Sequence, residues 1–184
     1  MPIVPDDKNW TWVLDETCPD CGYVATTVAL AAIGELLRAN VEAWPALLEG
    51  EHVRLRPTDD QWSALEYACH VRDVLRLYDE RLELMLRLDD PQFANWDQDL
   101  TAVESRYDLH DPALVASELV AAGMALATRF DAVRDGQWER TGSRSDGVAF
   151  TVGSFARYFL HDPVHHLDDV RRGNEILAAG SLDT

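Results

Sequence analysis

Apolar residues recur along this chain at three- and four-residue spacing over long stretches. Strict alternation is almost absent, so the elements to expect are helices rather than strands. Four segments carry the pattern. The first runs from about Val24 to Leu48 on Val28, Leu30, Ile33, Leu36, Leu37 and Val41, with Gly50 as its stop. The second follows Thr58-Asp59-Asp60 and extends from about Gln61 to Leu88. The third opens on Asp111-Pro112, an N-cap with proline in the first turn, and reaches about Val133. The fourth starts near Thr151 and ends before Gly173, with Arg171 and Arg172 at the negative end of the helix dipole. Two connections are long. Residues 89–110 have room for a short helix around Leu100–Ser105, and residues 134–150 are rich in turn formers and suit a hairpin. The pattern predicts an all-α four-helix bundle with two long loops, spanning about residues 24–172 of a single domain that covers 1–184.

Composition narrows the function. With 16 basic and 33 acidic residues the net charge is −17, which repels phosphate backbones, and no Lys/Arg cluster offsets it, so no nucleic-acid partner is expected. No apolar run is expected to reach the length of about 20 residues that crosses a bilayer, and the N-terminus lacks the basic-then-apolar order of a signal peptide. A cytoplasmic protein with no membrane association is the expectation. Three cysteines make no disulfide framework.

The histidines carry the candidate chemistry. On a helical wheel His70 lies at about 80° from Trp62, between Leu77 at about 60° and Val74 at about 120°, with the charged Arg72, Asp79 and Glu83 on the far side. It points inward, as a core histidine or as a ligand. The fourth segment offers Asp162/His166 and His161/His165, two pairs at i, i+4 spacing. Side chains so spaced share one helix face and can hold one divalent ion. With Phe155 at zero, Asp162 and His166 lie at about −20° and 20°, whereas His161 and His165 lie at about −120° and −80°, toward charged neighbours. The wheel favours Asp162 with His166, leaving the other pair to support them or face solvent. Pro163, inside the helix, costs about 3 kcal/mol unless the helix kinks, and a bulge there would bring in His161 and His165 instead.

Trp62-x3-Glu66-x3-His70-Val-x-Asp73, together with the late histidine cluster, resembles the two signatures of the DinB-like superfamily. That group includes thiol-dependent S-transferases and mycothiol-dependent maleylpyruvate isomerases. The resemblance implies a four-helix bundle, often a dimer, with a metal held by one early histidine and an i, i+4 pair on the last helix. Aligned on Val170, the pair falls on Asp162 and His166, with aspartate where the family usually has histidine or glutamate. Aligned on His-Asp-x-x-His, it falls on His161 and His165. Three protein ligands with an exchangeable water mark a catalytic metal, and zinc or nickel suits the N/O donor set.

The resemblance therefore implies a transferase or isomerase in which the metal activates a small thiol such as mycothiol to attack a small electrophile. A metal- or ligand-binding protein without enzymatic activity, and a metal-dependent hydrolase with Glu66 or Asp73 as base, are the alternatives. Glu66 and Asp73 otherwise flank His70 as candidates to orient its ring. Arg81 is the candidate to bind a substrate carboxylate, against the plainer reading of an ion pair. Cys18 and Cys21 form a C-x-x-C that supplies only two zinc ligands, with no second pair of cysteines to complete a site. No catalytic residue beyond these is assigned.

Overall fold

The computed structural model describes residues 9–180. Residues 1–8, most of the stretch read for a targeting signal, and the tail 181–184 lie outside it. An N-terminal segment with a 3-10 turn at Trp10–Leu14 leads into further 3-10 turns at Ala25–Thr27 and Leu30–Ala32. Then follow α1 (Ile33–Glu42), α2 (Trp44–Leu47), α3 (Ala64–Arg87), β1 (Gln92–Phe93), α4 (Gln98–Glu104), α5 (Pro112–Asp131), β2 (Thr141–Arg144), β3 (Ala149–Thr151) and α6 (Val152–Gly180).

The first predicted helix is broken into pieces. Val24, Thr26, Thr27 and Val28 are stiff at χ1 and disfavour a helical start. Pro45 cannot continue α1 and instead begins α2 in its first turn. The second prediction holds to within a few residues. Ser63 caps α3 by accepting from the Glu66 N–H, while the Glu66 carboxylate accepts from the Ser63 N–H. Asp111 caps α5 as expected. The last helix passes Gly173 and runs to Gly180. Gly173 is a packing residue rather than a stop, since a Cβ there would sit 3.1 Å from Pro57. The long loops hold α4 and the β2–β3 hairpin where they were expected, and β1 adds a short parallel strand beside β2.

In the bundle, α3 packs on α5 and α6, and α1 packs on the same two helices. The residue pairs give the directions. Arg72 with Glu118 and Asp79 with Arg129 make α3 and α5 parallel. His70 beside His166 and Tyr78 beside Phe155 make α3 and α6 antiparallel. Parallel neighbours need a crossover, which is why the chain between α3 and α5 is long. By length and composition α5 could cross a membrane, against the expectation that no run reaches that length. It is a bundle helix that packs on α1 and α3 and places Glu118 and Arg129 in ion pairs with α3.

The core is aliphatic at Leu37, Val41, Leu65, Leu75, Leu82 and Leu119, and aromatic where Tyr78 stacks on Phe155 with ring centroids 4.7 Å apart. Two glycines let α1 and α5 cross closely. A Cβ on Gly34 would strike the Asp131 side chain, and one on Gly123 would lie 2.4 Å from Val41 Cγ1. Val41 is fully buried and cannot swing away. Gly123→Ala is therefore expected to destabilise the fold by about 1–2 kcal/mol despite alanine's better helix propensity. In urea denaturation the double variant Gly123→Ala/Val41→Ala should lose less than the sum of the two single losses.

Candidate metal centre

Two antiparallel helices bring three side chains to one point. His70 sits in the second turn of α3, and Asp162 and His166 sit one turn apart on α6. One ligand atom from each lies within 4.8 Å of the others. His70 Nε2 is 3.5 Å from Asp162 Oδ2, and His166 Nε2 is 3.9 Å from the same oxygen. Ligand atoms around a tetrahedral ion with bonds near 2.05 Å stand about 3.4 Å apart, so the spacing matches a cation between them.

The hydrogen bonding supports the same fit. His70 is fully buried, yet neither ring nitrogen has a hydrogen-bond partner, and Asp162 Oδ1 is also buried without one. Buried polar atoms are nearly always paired, so a His70 Nε2 without a hydrogen-bond partner beside the Asp162 carboxylate suits a position where the partner is a cation. The ring of His70 is held between Trp62 and Trp96 at 5.3 and 5.5 Å, with His166 edge-on at 4.9 Å. Burial would raise the Asp162 carboxyl, but the attraction of His70 and His166 outweighs it and holds the pKa down at about 2. An ionised carboxylate beside two imidazoles is a complete N/O ligand set.

His166 Nδ1 donates to Asp169 Oδ2 at 3.0 Å, and Asp169 also accepts from Arg172. This leaves Nε2 as the lone-pair nitrogen facing His70 and Asp162, the arrangement in which a carboxylate orients a metal-binding imidazole. Sequence reasoning missed Asp169, although its i, i+3 spacing from His166 was a usable signal. It had assigned the orienting role to Glu66 and Asp73, and the structure corrects both. Glu66 is spent on the cap of α3 and on Arg56, whose pull, after burial is overcome, lowers its pKa. Asp73 accepts from Arg72 and from the Tyr107 hydroxyl at 2.6 Å. A guanidinium is a stronger partner than an imidazole, so each carboxylate turns to its arginine.

Of the two places the wheel left for His161 and His165, supporting the ligands or facing solvent, solvent is not the one they take. Both are buried beneath the N-terminal segment, on the flank of α6 next to the centre. A cavity of about 100 Å³ opens beside Asp162 and His166, walled by Trp10, Tyr78, Gln98 and Tyr158. Arg144, the last residue of β2, pairs with Asp146 and donates to the Tyr158 hydroxyl at 3.2 Å. Arg81 makes no ion pair among the described residues, against the plainer expectation. It is buried, donates to the Ala94 carbonyl at 2.8 Å, lies over the rings of Tyr78 and Phe93, and keeps its Nε without a partner.

The family model of the DinB superfamily matches residues 29–170. Among solved structures the chain is similar to YfiT from Bacillus subtilis, described as a probable metal-dependent hydrolase with an unusual four-helix bundle topology. The TM-score is 0.61 at 15% identity, over 93% of both chains. No curated protein matches the chain.

Titration of the chelator-treated chain with Ni²⁺ is expected to show a tight site at this centre. His70→Ala should remove that site, and Asp169→Asn should weaken it about 10- to 100-fold while leaving all three ligands in place. An H70A isotherm equal to the parent's would refute the centre.

Proposed function

We propose, from the premise that the chain belongs to the DinB superfamily, that it is a metal-dependent transferase or isomerase acting through a low-molecular-weight thiol such as mycothiol. His70, Asp162 and His166 would hold the divalent ion, zinc or nickel. The observation that carries the reading is the convergence of these three side chains, with buried unsatisfied atoms on His70 and Asp162, beside a cavity large enough for a small reactant. A divalent ion with an open position lowers the pKa of a thiol bound to it and keeps it as the reactive thiolate.

The residues of this chain supply the rest. Trp62 and Trp96 keep bulk water from His70 and strengthen the electrostatics of the centre. Asp169 and Arg172 fix the His166 ring. Burial raises the Tyr158 pKa, so its hydroxyl keeps its proton. Accepting from Arg144, that hydroxyl can donate to an oxygen on a substrate in the cavity. Arg81, a buried cation with no carboxylate partner among the described residues, is the seat for an anionic group of the electrophile.

Metal-dependent hydrolysis is the second reading, in line with the description of YfiT. It would need a group to take a proton from water. The two carboxylates that the sequence offered as bases, Glu66 and Asp73, are held by arginines instead. That favours the thiol, which gives up its proton more readily than water does.

Conjugation of a small thiol to monochlorobimane by the holo-protein is expected to stop on chelation and to return with Zn²⁺ or Ni²⁺. Asp162→Asn should lower kcat/KM at least about 100-fold, whereas Arg81→Met should raise KM for a carboxylate-bearing electrophile about 10-fold with kcat little changed. Metal-dependent ester cleavage that needs no thiol would give the second reading the lead. Inactivity in both assays would leave a binding protein.

A further inference from the structure

The pair Cys18 and Cys21, two ligands short of a site in the sequence, meets its complement in the fold. Cys18, Cys21, His161 and His165 each place one ligand atom within 4.8 Å of the others. Cys18 Sγ lies 3.6 Å from His165 Nδ1, although the two residues are 147 positions apart. We infer that these four side chains form a second, closed metal site that takes one zinc ion and clamps the N-terminal segment to α6.

The donor set is two thiols and two imidazoles, with C-x2-C and H-x3-H spacing, the combination that makes tetrahedral structural zinc sites. Four protein donors leave no position open, so this is a fastener and not a reaction centre. The loop is shaped to present both sulfurs to one side. Cys18 N–H donates to the Tyr23 carbonyl and Gly22 N–H donates back to the Cys18 carbonyl, both at 2.9 Å. Gly22, at φ +72°, occupies the left-handed region that this closure requires. Cys18 and His161 are buried, and His161 Nε2 has no hydrogen-bond partner. On its other edge His165 turns Nε2 toward Asp169 at 3.6 Å, which leaves Nδ1 for the sulfur side. The same carboxylate therefore stands behind both His165 and His166.

The clamp has a structural purpose. Hydrogen bonds that fasten the segment to α6 run from the Tyr23 hydroxyl to the Arg157 carbonyl, from Arg157 to the Val28 carbonyl and from Arg172 to the Asp20 carbonyl. Trp10 lies against His161 and His165 at 5.5 and 5.3 Å and forms part of the cavity wall. An ion in this site would fix the side of the cavity formed by Trp10, His161 and His165.

The test uses the full chain, produced in cobalt-supplemented medium and purified under reducing conditions. Bound Co²⁺ is expected to show thiolate-to-metal charge transfer in the near ultraviolet and the intense visible absorption of tetrahedral cobalt, and Zn²⁺ should abolish both. In buffer freed of small thiols, with a phosphine as the reductant, the His/Asp/His centre has no sulfur donor and cannot produce the charge-transfer band. Cys18→Ser/Cys21→Ser should erase the band and one equivalent of metal, while His70→Ala should erase a different equivalent and keep the band. Cobalt bound without the band in the parent chain, or a Cys18–Cys21 disulfide found by mass spectrometry in its place, would overturn the site. The parent spectrum decides this whether or not the variants fold. One banded equivalent alone would support this site and overturn the His70 centre.

Discussion

The seam between α3 and α6 governs the rest of the molecule. Along much of its length it is apolar, with Tyr78 stacked on Phe155 and packed against Phe159. Toward the start of α3 it buries both nitrogens of His70 and one oxygen of Asp162 without hydrogen bonds. Each unsatisfied buried polar atom costs about 1–3 kcal/mol, against a net stability of about 5–15 kcal/mol for an ordinary domain. Attraction between Asp162 and the two imidazoles recovers a part of this, but apolar side chains of similar volume would avoid the cost. A cation held here would take the Nε2 lone pair of His70 and the Asp162 carboxylate together and remove part of this penalty, which links the packing of the two helices to metal binding.

The division of the late histidines follows from one backbone fact. α6 runs unbroken through Pro163, whose carbonyl is held by Asn40 at 2.9 Å. With no bulge, each residue turns the helix by about 100°, so two i, i+4 pairs offset by one position face different neighbours. Asp162 and His166 meet α3. His161 and His165 meet the N-terminal segment. The choice between registers that the sequence left open is thus dissolved: both pairs are used inside the fold, in separate clusters.

Much of this was legible beforehand, for reasons that can be named. Helical period and caps are local, so α3 and α5 could be placed to within a few residues from Ser63, Asp111 and Pro112. The inward set of His70, Asp162 and His166 followed from angle arithmetic on regular helices. What local pattern does not carry was misread. The segment before about Val24 has no period, so nothing announced that it would cover His161 and His165 or bring the cysteines to them. Glu66 and Asp73 flank His70 in sequence, but the competition among Arg56, Arg72 and Tyr107 for their oxygens is a tertiary matter. Arg81 went the other way. A rich supply of acids made an ion pair the plain expectation, yet its guanidinium lies over the rings of Tyr78 and Phe93 and pairs with no carboxylate among the described residues.

A net charge of −17 seems at odds with an anionic reactant. The conflict weakens once distance and medium are considered. At physiological ionic strength charges on the surface are screened beyond about 8 Å, so most of the 33 acids contribute little inside the bundle. Within the fold the balance reverses. Among the described residues Arg81 is buried with no acid paired to it, and Arg144, itself paired with Asp146, donates to Tyr158, which walls the cavity. Such interactions are several-fold stronger in a low-dielectric interior than at the surface. Under the proposed function, an anionic group of a small reactant would feel Arg81 behind the Tyr78 ring that walls the cavity more than it feels the screened acids of the surface.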